Sequence, residues 1–167
     1  MKEIFTRRSI RKYTAEPVSE TDLEKLLRAA MAAPSAGNQQ PWEFVVVRDR
    51  EAMQKILEFH PYARPLDTAN VAIVICGDRE RQRFPEDYWV QDCSAATQNL
   101  LLEAEHLGLG AVWMGVFPID ARVRGVQQLF GLPEHVVPLG VIAVGHPAET
   151  PAPKENYRPE RIHLERW

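Results

Sequence analysis

Cysteine is scarce in this 167-residue chain: Cys76 and Cys93 are the only two, and no C-x-x-C spacing joins them. The five histidines (His60, His106, His135, His146, His163) form neither an H-x-x-x-H nor an H-E-x-x-H pattern, so no metal centre is expected. No apolar run approaches the roughly 18 residues of a membrane span; the longest is Val71 to Cys76. The opening MKEIFTRRSIRKY lacks the apolar stretch of a signal peptide. The expectation is a cytoplasmic protein, without membrane partners, whose two thiols stay free as small buried hydrophobes. A one-sided charge is missing as well. Twenty Lys and Arg stand against 23 Asp and Glu, a net charge of −3, which excludes a body that holds nucleic acid by phosphate neutralisation alone. No repeat, GxSxG elbow, P-loop or kinase signature occurs, and no G-x-G-x-x-G opens a helix after a strand.

What is present is a foldable composition, 45% hydrophobic and 26% charged, long enough for one core. A single domain over residues 1–167 is expected. Leu23, Leu26, Leu27 and Ala30 make a helical stripe after Ser19, with Asp22 three residues on as in a capping box. Phe44 to Val47 reads as a strand and Asp49 to Phe59 as a helix. Val71 to Cys76 reads as a central strand buried on both faces. The charged stretch Asp78 to Asp87 reads as a solvated loop, and residues 88–107, free of Pro and Gly, as the longest helix, stopped by Gly108. A strand from Gly110, a helix capped by Asp120 and ended by Gly131, and a strand from Pro138 to Val144 follow. This predicts a layered mixture of helices with a sheet of about four or five strands. From about 147 to 167 the pattern dissolves into an extended arm with Pro147, Pro151, Pro153 and Pro159, whose apolar anchors are Tyr157, Ile162, Leu164 and Trp167. Such an arm must lie on the domain or on a partner subunit.

Three segments could carry chemistry. Residues 1–13 hold Lys2, Arg7, Arg8, Arg11 and Lys12 against Glu3, with Ser9 among them. Guanidinium forks suit phosphate oxygens, although the same cluster could be a solvated face or a small nucleic-acid patch. Pro34-Ser35-Ala36-Gly37-Asn38-Gln39-Gln40-Pro41-Trp42 sets uncharged amides in a rigid connection. Those amides match the edge of a heterocycle, or else satisfy their own loop. Gly108-Leu109-Gly110-Ala111-Val112-Trp113-Met114-Gly115 allows close approach of a flat ligand to backbone amides at a strand end. No side-chain nucleophile accompanies them, which suggests that a cofactor performs the reaction.

Taken together, RRSIRKY, PSAGNQQPW and LGLGAVWMG resemble the nitroreductase family of FMN-dependent oxidoreductases, in this order and across nearly the whole chain. The resemblance implies an α+β fold, a three-layer α-β-α sandwich with a mostly antiparallel sheet, working as a homodimer with FMN at the interface. Carried over by position, Arg7, Arg8, Ser9 and Arg11 resemble phosphate and ribityl contacts. Pro34, Ser35, Asn38 and Gln40 resemble the segment that reaches the flavin from the second subunit. Trp113, Met114 and Gly115 fall where the family places backbone near flavin N5, with no catalytic side chain. Lys154 matches a basic phosphate position; the next usual basic position is Asn156 here, with Arg158 as the expected substitute. The implied reaction passes a hydride from NADH or NADPH through flavin N5 to a nitroaromatic, quinone or similar electron-poor acceptor. A reductive dehalogenase on the same fold and a non-catalytic FMN-binding or sensor protein are the alternatives. Tyr88 and Trp89 read either as helix-end packing or as a flavin-stacking lid.

Overall fold

The computed structural model describes residues 2–152 and 154–167, so Pro153 of the arm lies outside the described residues. In chain order the elements are α1 (Glu3–Thr6), α2 (Glu20–Met31), β1 (Trp42–Val47), α3 (Arg50–Phe59), β2 (Val71–Asp78), α4 (Tyr88–His106), β3 (Gly110–Gly115), α5 (Asp120–Phe130) and β4 (Val136–Gly145). No helix is long and apolar enough to cross a membrane, among the described residues.

The four strands form one sheet in the order β1-β2-β4-β3. Every pairing of neighbouring strands is antiparallel. Residues of β2 alternate strictly between two cores. Val71, Ile73 and Ile75 pack with Leu23, Leu26 and Ala30 of α2 and with Trp89, Ala96 and Leu100 of α4. Ala72, Val74 and Cys76 face the other way, with Met53 and Ile56 of α3, Val126 of α5 and Val112 and Met114 of β3. Two apolar faces require two covering layers, so the expected three-layer α-β-α sandwich follows.

Local chemistry sets the ends of the helices. The Ser19 hydroxyl accepts the Asp22 N–H at 3.0 Å and donates to the Asp22 carboxylate at 2.8 Å, which fixes the start of α2. Gly108 (φ 73°) and Gly131 (φ 63°) take the left-handed conformation after α4 and α5, where a Cβ would be strained. Asp120 does not cap α5; it is the first helical residue, after Ile119 at the cap position. Its charge at that end still favours the helix dipole.

Both termini are sewn to the sheet edge. Ser9 forms a parallel bridge with Ala111 of β3, and Ile10 N–H donates to the Ala111 carbonyl at 3.1 Å. Thr14 N–H then bonds to His146 O, and Ala148 N–H to Lys12 O, both at 2.9 Å. The segment 9–14 therefore runs between β3 and the root of the C-terminal arm. Beyond that root the anchors stay exposed: Tyr157 by 65%, Ile162 by 54%, Leu164 by 82% and Trp167 fully.

Candidate functional site

A cleft of about 530 Å³ opens where the N-terminal segment meets the arm. Arg7, Arg8, Ser9 and Arg11 form one wall and Glu149, Thr150, Pro151, Lys154 and Asn156 the other. The cationic residues of positions 7–11 and Lys154 are 143 or more positions apart in sequence and meet because residues 12–14 pair with 146–148. Among the described residues, none of these four cations has a carboxylate within salt-bridge range. Unpaired cations converging on one concavity attract a dianion, and guanidinium forks hold one bidentately.

The four are not equivalent. Arg8 Nη1 donates to the carbonyls of Phe5, Thr6 and Arg7 at 2.8–3.1 Å, and its Nε to Ala152 O at 3.1 Å. Arg8 thus works chiefly as a clip between the two chain ends, with only Nη2 uncommitted. Arg11 bonds to Ser9 O at 3.3 Å. Arg158 does not line the cleft. Its guanidinium donates to its neighbour's carbonyl, Tyr157 O, at 2.9 Å; Asn156 stands in the wall.

The strand β3 supplies a second element. Residues of a strand alternate the edge to which they turn their N–H and C=O. Since the Ala111 carbonyl faces outward to Ile10, Trp113 and Gly115 face outward too, along the open edge of the sheet. At about 3.3 Å per residue, Gly115 lies about 13 Å along the strand from Ala111. Met114, paired with Val141, turns its backbone to β4 and its side chain into the core. Of Met114 and Gly115, only Gly115 therefore offers backbone to the edge. Its carbonyl is gripped by two donors, His60 Nε2 at 2.9 Å and Arg122 Nη1 at 3.0 Å. Burial, with the Arg122 charge nearby, holds His60 below the ordinary imidazole range, so the ring is neutral with its proton on Nε2. Trp113 leans over Gly140, where a Cβ would meet the indole Nε1 at 2.3 Å.

The connection from Pro34 to Trp42 is the third element. Gly37, Asn38 and Gln40 all have positive φ, at 54°, 52° and 47°. Two non-glycine residues in the left-handed region within three positions need surroundings that over-determine them. Asp92 of α4, buried to within 4%, accepts Ala36 N–H at 2.9 Å and Gln39 Nε2 at 2.7 Å. Gln39 Oε1 accepts Arg83 N–H, Arg83 Nη1 donates to Gly37 O, and Ser35 Oγ accepts Gln40 N–H. Pro34, Asn38 and Gln40 are left exposed. Sequence reasoning missed Gln39, Asp92 and Arg83; a lone Asp inside a helix of Ala, Thr and Leu was the available signal. The 78–87 stretch lies at the surface as expected, and Arg83 and Phe84 of it also fasten on the 36–40 loop. Neither residues 34–40 nor 113–115 line the cationic cleft.

Trp89 is 1% exposed and lies against Gly77 and Phe117, which makes it core packing and removes it as a lid. Tyr88 meets Phe84 edge to face, 5.7 Å between centroids. Asp78, Glu80 and His135 come within 4.8 Å of one another, a grouping the sequence spacing hid. Arg81 Nε donates to Asp78 at 3.1 Å and supplies the countercharge, so this is an ion-pair cluster.

The profile of the nitroreductase family matches residues 4–61 and 60–146. This chain belongs to the nitroreductase family. It is 52% identical over 167 residues to a protein of Methanothermobacter thermautotrophicus provisionally named NADH dehydrogenase/NAD(P)H nitroreductase, covering all of this chain and 87% of that one. A crystal structure from Parabacteroides distasonis with the same provisional name superposes with a TM-score of 0.95 at 45% identity, over 99% of this chain and 97% of that one. An FMN-dependent nitroreductase of Clostridium difficile superposes at 0.91 with 28% identity over the full length of both.

Proposed function

We propose that this chain is an FMN-dependent oxidoreductase that takes electrons from NAD(P)H and delivers them to electron-poor acceptors such as nitroaromatics and quinones. The observation that carries the reading is the cleft of unpaired cations beside β3, a strand whose edge also carries the outward-facing backbone of Trp113 and Gly115. The donor set fits FMN, a phosphate monoester joined to a flat ring system. The names of the C. difficile and M. thermautotrophicus proteins point to the same cofactor and donor.

Arg7, Arg11 and Lys154 hold the phosphate, with the Ser9 hydroxyl as a neutral donor, and Arg8 keeps the two walls of the cleft together. Trp113 and Gly115 present backbone N–H groups to the ring edge, fixed in place by the grip of His60 and Arg122 on the Gly115 carbonyl. Bound FMN supplies the two-electron redox chemistry that no side chain here offers. Backbone donors aimed at a ring edge stabilise negative charge there without reorganising.

The amides of the 34–40 segment do not reach the cleft of their own chain. Their place is at the flavin of a second subunit, with Pro34, Ser35, Asn38 and Gln40 presented by the Asp92-braced loop. The exposed Tyr157, Ile162, Leu164 and Trp167 then find cover on that subunit. The whole chain, 1–167, acts as one domain of such a homodimer.

The test is steady-state oxidation of NADH and NADPH by FMN-loaded protein with a panel of quinones and nitroaromatics, alongside sedimentation of the loaded protein. Turnover with several acceptors in a dimer supports the reading; FMN binding without turnover would favour a sensor role.

A further inference from the structure

One negatively charged group stands inside the cationic cleft, and it does not neutralise it. Glu149 lines the same concavity as Arg7, Arg11 and Lys154, yet it forms no ion pair among the described residues. Its Oε1 instead accepts the backbone N–H of Arg11 at 2.6 Å, a charge-assisted bond of the kind that holds oxyanions. The position follows from the chain ladder. Ala148 N–H bonds to Lys12 O, and the Glu149 side chain then takes the next inward N–H.

We propose that Glu149 is an internal anion occupying a phosphate-oxygen position of the cleft, displaced when the phosphate of the cofactor binds. This rests on reading the cleft as a phosphate site. A dianion that entered with Glu149 in place would meet a carboxylate at the N–H it needs, in surroundings of Arg7, Arg8, Arg11, Lys154 and the Tyr13 phenol. Displacement frees the Arg11 N–H and removes that repulsion. Because Glu149 sits at the root of the arm, its release also loosens a contact that, with Arg8 to Ala152, ties the arm to the N-terminal segment. Phosphate occupancy is thereby coupled to the setting of the arm.

Binding of sulfate, FMN and riboflavin to cofactor-free protein, measured by calorimetry and flavin fluorescence, tests this with two variants. Glu149→Gln keeps the size and the acceptor but removes the charge; Glu149→Ala also vacates the Arg11 N–H. Both variants should bind sulfate and FMN about tenfold more tightly than the parent, the scale of one partly screened charge repulsion, with riboflavin unchanged. Equal or weaker sulfate and FMN binding by both variants, in a parent that binds FMN, would make Glu149 a structural rung and overturn the inference alone. A parent that binds neither sulfate nor FMN would overturn the inference together with the phosphate reading of the cleft.

Discussion

Asp92 receives the Gln39 side-chain amide at 2.7 Å across 53 positions of sequence, and this bond joins the longest helix to a loop whose backbone is strained at two residues, Asn38 and Gln40. Buried carboxylates cost several kcal/mol to desolvate unless donors surround them, so the pair stands only with Ala36 N–H as its second donor. Asp92→Ala would leave both donors unpartnered in a buried site. The expected loss is about 2–4 kcal/mol of stability, seen as a lower urea midpoint, with weakened FMN binding as the loop relaxes. A midpoint unchanged in urea would mean that the loop holds its shape without Asp92.

The cation cleft predicts a separation between two flavins. Arg7→Ala and Arg11→Ala each remove a charge-assisted contact worth about 1.5–3 kcal/mol, so FMN affinity should fall by about 10- to 100-fold. Riboflavin, which lacks the phosphate, should bind the variants and the parent alike. Equal loss for both ligands would place these arginines at the ring or in the fold.

His60 predicts an acid-sensitive fold. It is held neutral in the folded state, its pKa lowered mainly by burial, while in the unfolded chain it titrates near about 6.5. Its Nδ1 is buried without a partner among the described residues, so the second N–H of a protonated ring finds no acceptor there. The unfolded chain thus binds the proton more readily, and stability present above about pH 6.5 is lost as pH falls through that value towards the lower folded pKa. Urea midpoints measured between about pH 7.5 and 5.5 should drop more steeply for the parent than for His60→Gln, which can still donate to Gly115 O but does not titrate. Parallel profiles would assign the acid sensitivity elsewhere.

Gly110 predicts a packing link between β3 and the cations. A Cβ there would stand 2.7 Å from Ile10 Cβ and Cγ2, closer than carbon atoms approach. Gly110→Ala should cost about 1–3 kcal/mol and, by pushing residues 7–11 away from the strand, reduce FMN affinity. Lost stability with unchanged FMN binding would show that the segment adjusts without moving the cleft.

Most elements were legible because their signals are local. The Ser19 cap, the left-handed Gly108 and Gly131, and the alternating cores of β2 follow from side chains near in sequence. The antiparallel order β1-β2-β4-β3 is a long-range property that a list of strands leaves open. The residues of the site were nominated by motif, but their division of labour was not. That Arg8 is spent on carbonyls and that Met114 turns inward beside Gly115 are consequences of pairing between chain ends and of strand alternation. Asp92 escaped because an acidic residue within a helix looks like a solvated one until the opposing loop is in place.

The central claim is that cofactor, nicotinamide and acceptor meet at this site, and anaerobic titration of the FMN-loaded protein with NADH and then NADPH tests it most directly. Bleaching of the visible flavin band by stoichiometric nicotinamide, and its return on adding a quinone or nitroaromatic, is the predicted result. A band that stays yellow in excess NADH and NADPH, or a protein that takes up no FMN, would contradict it.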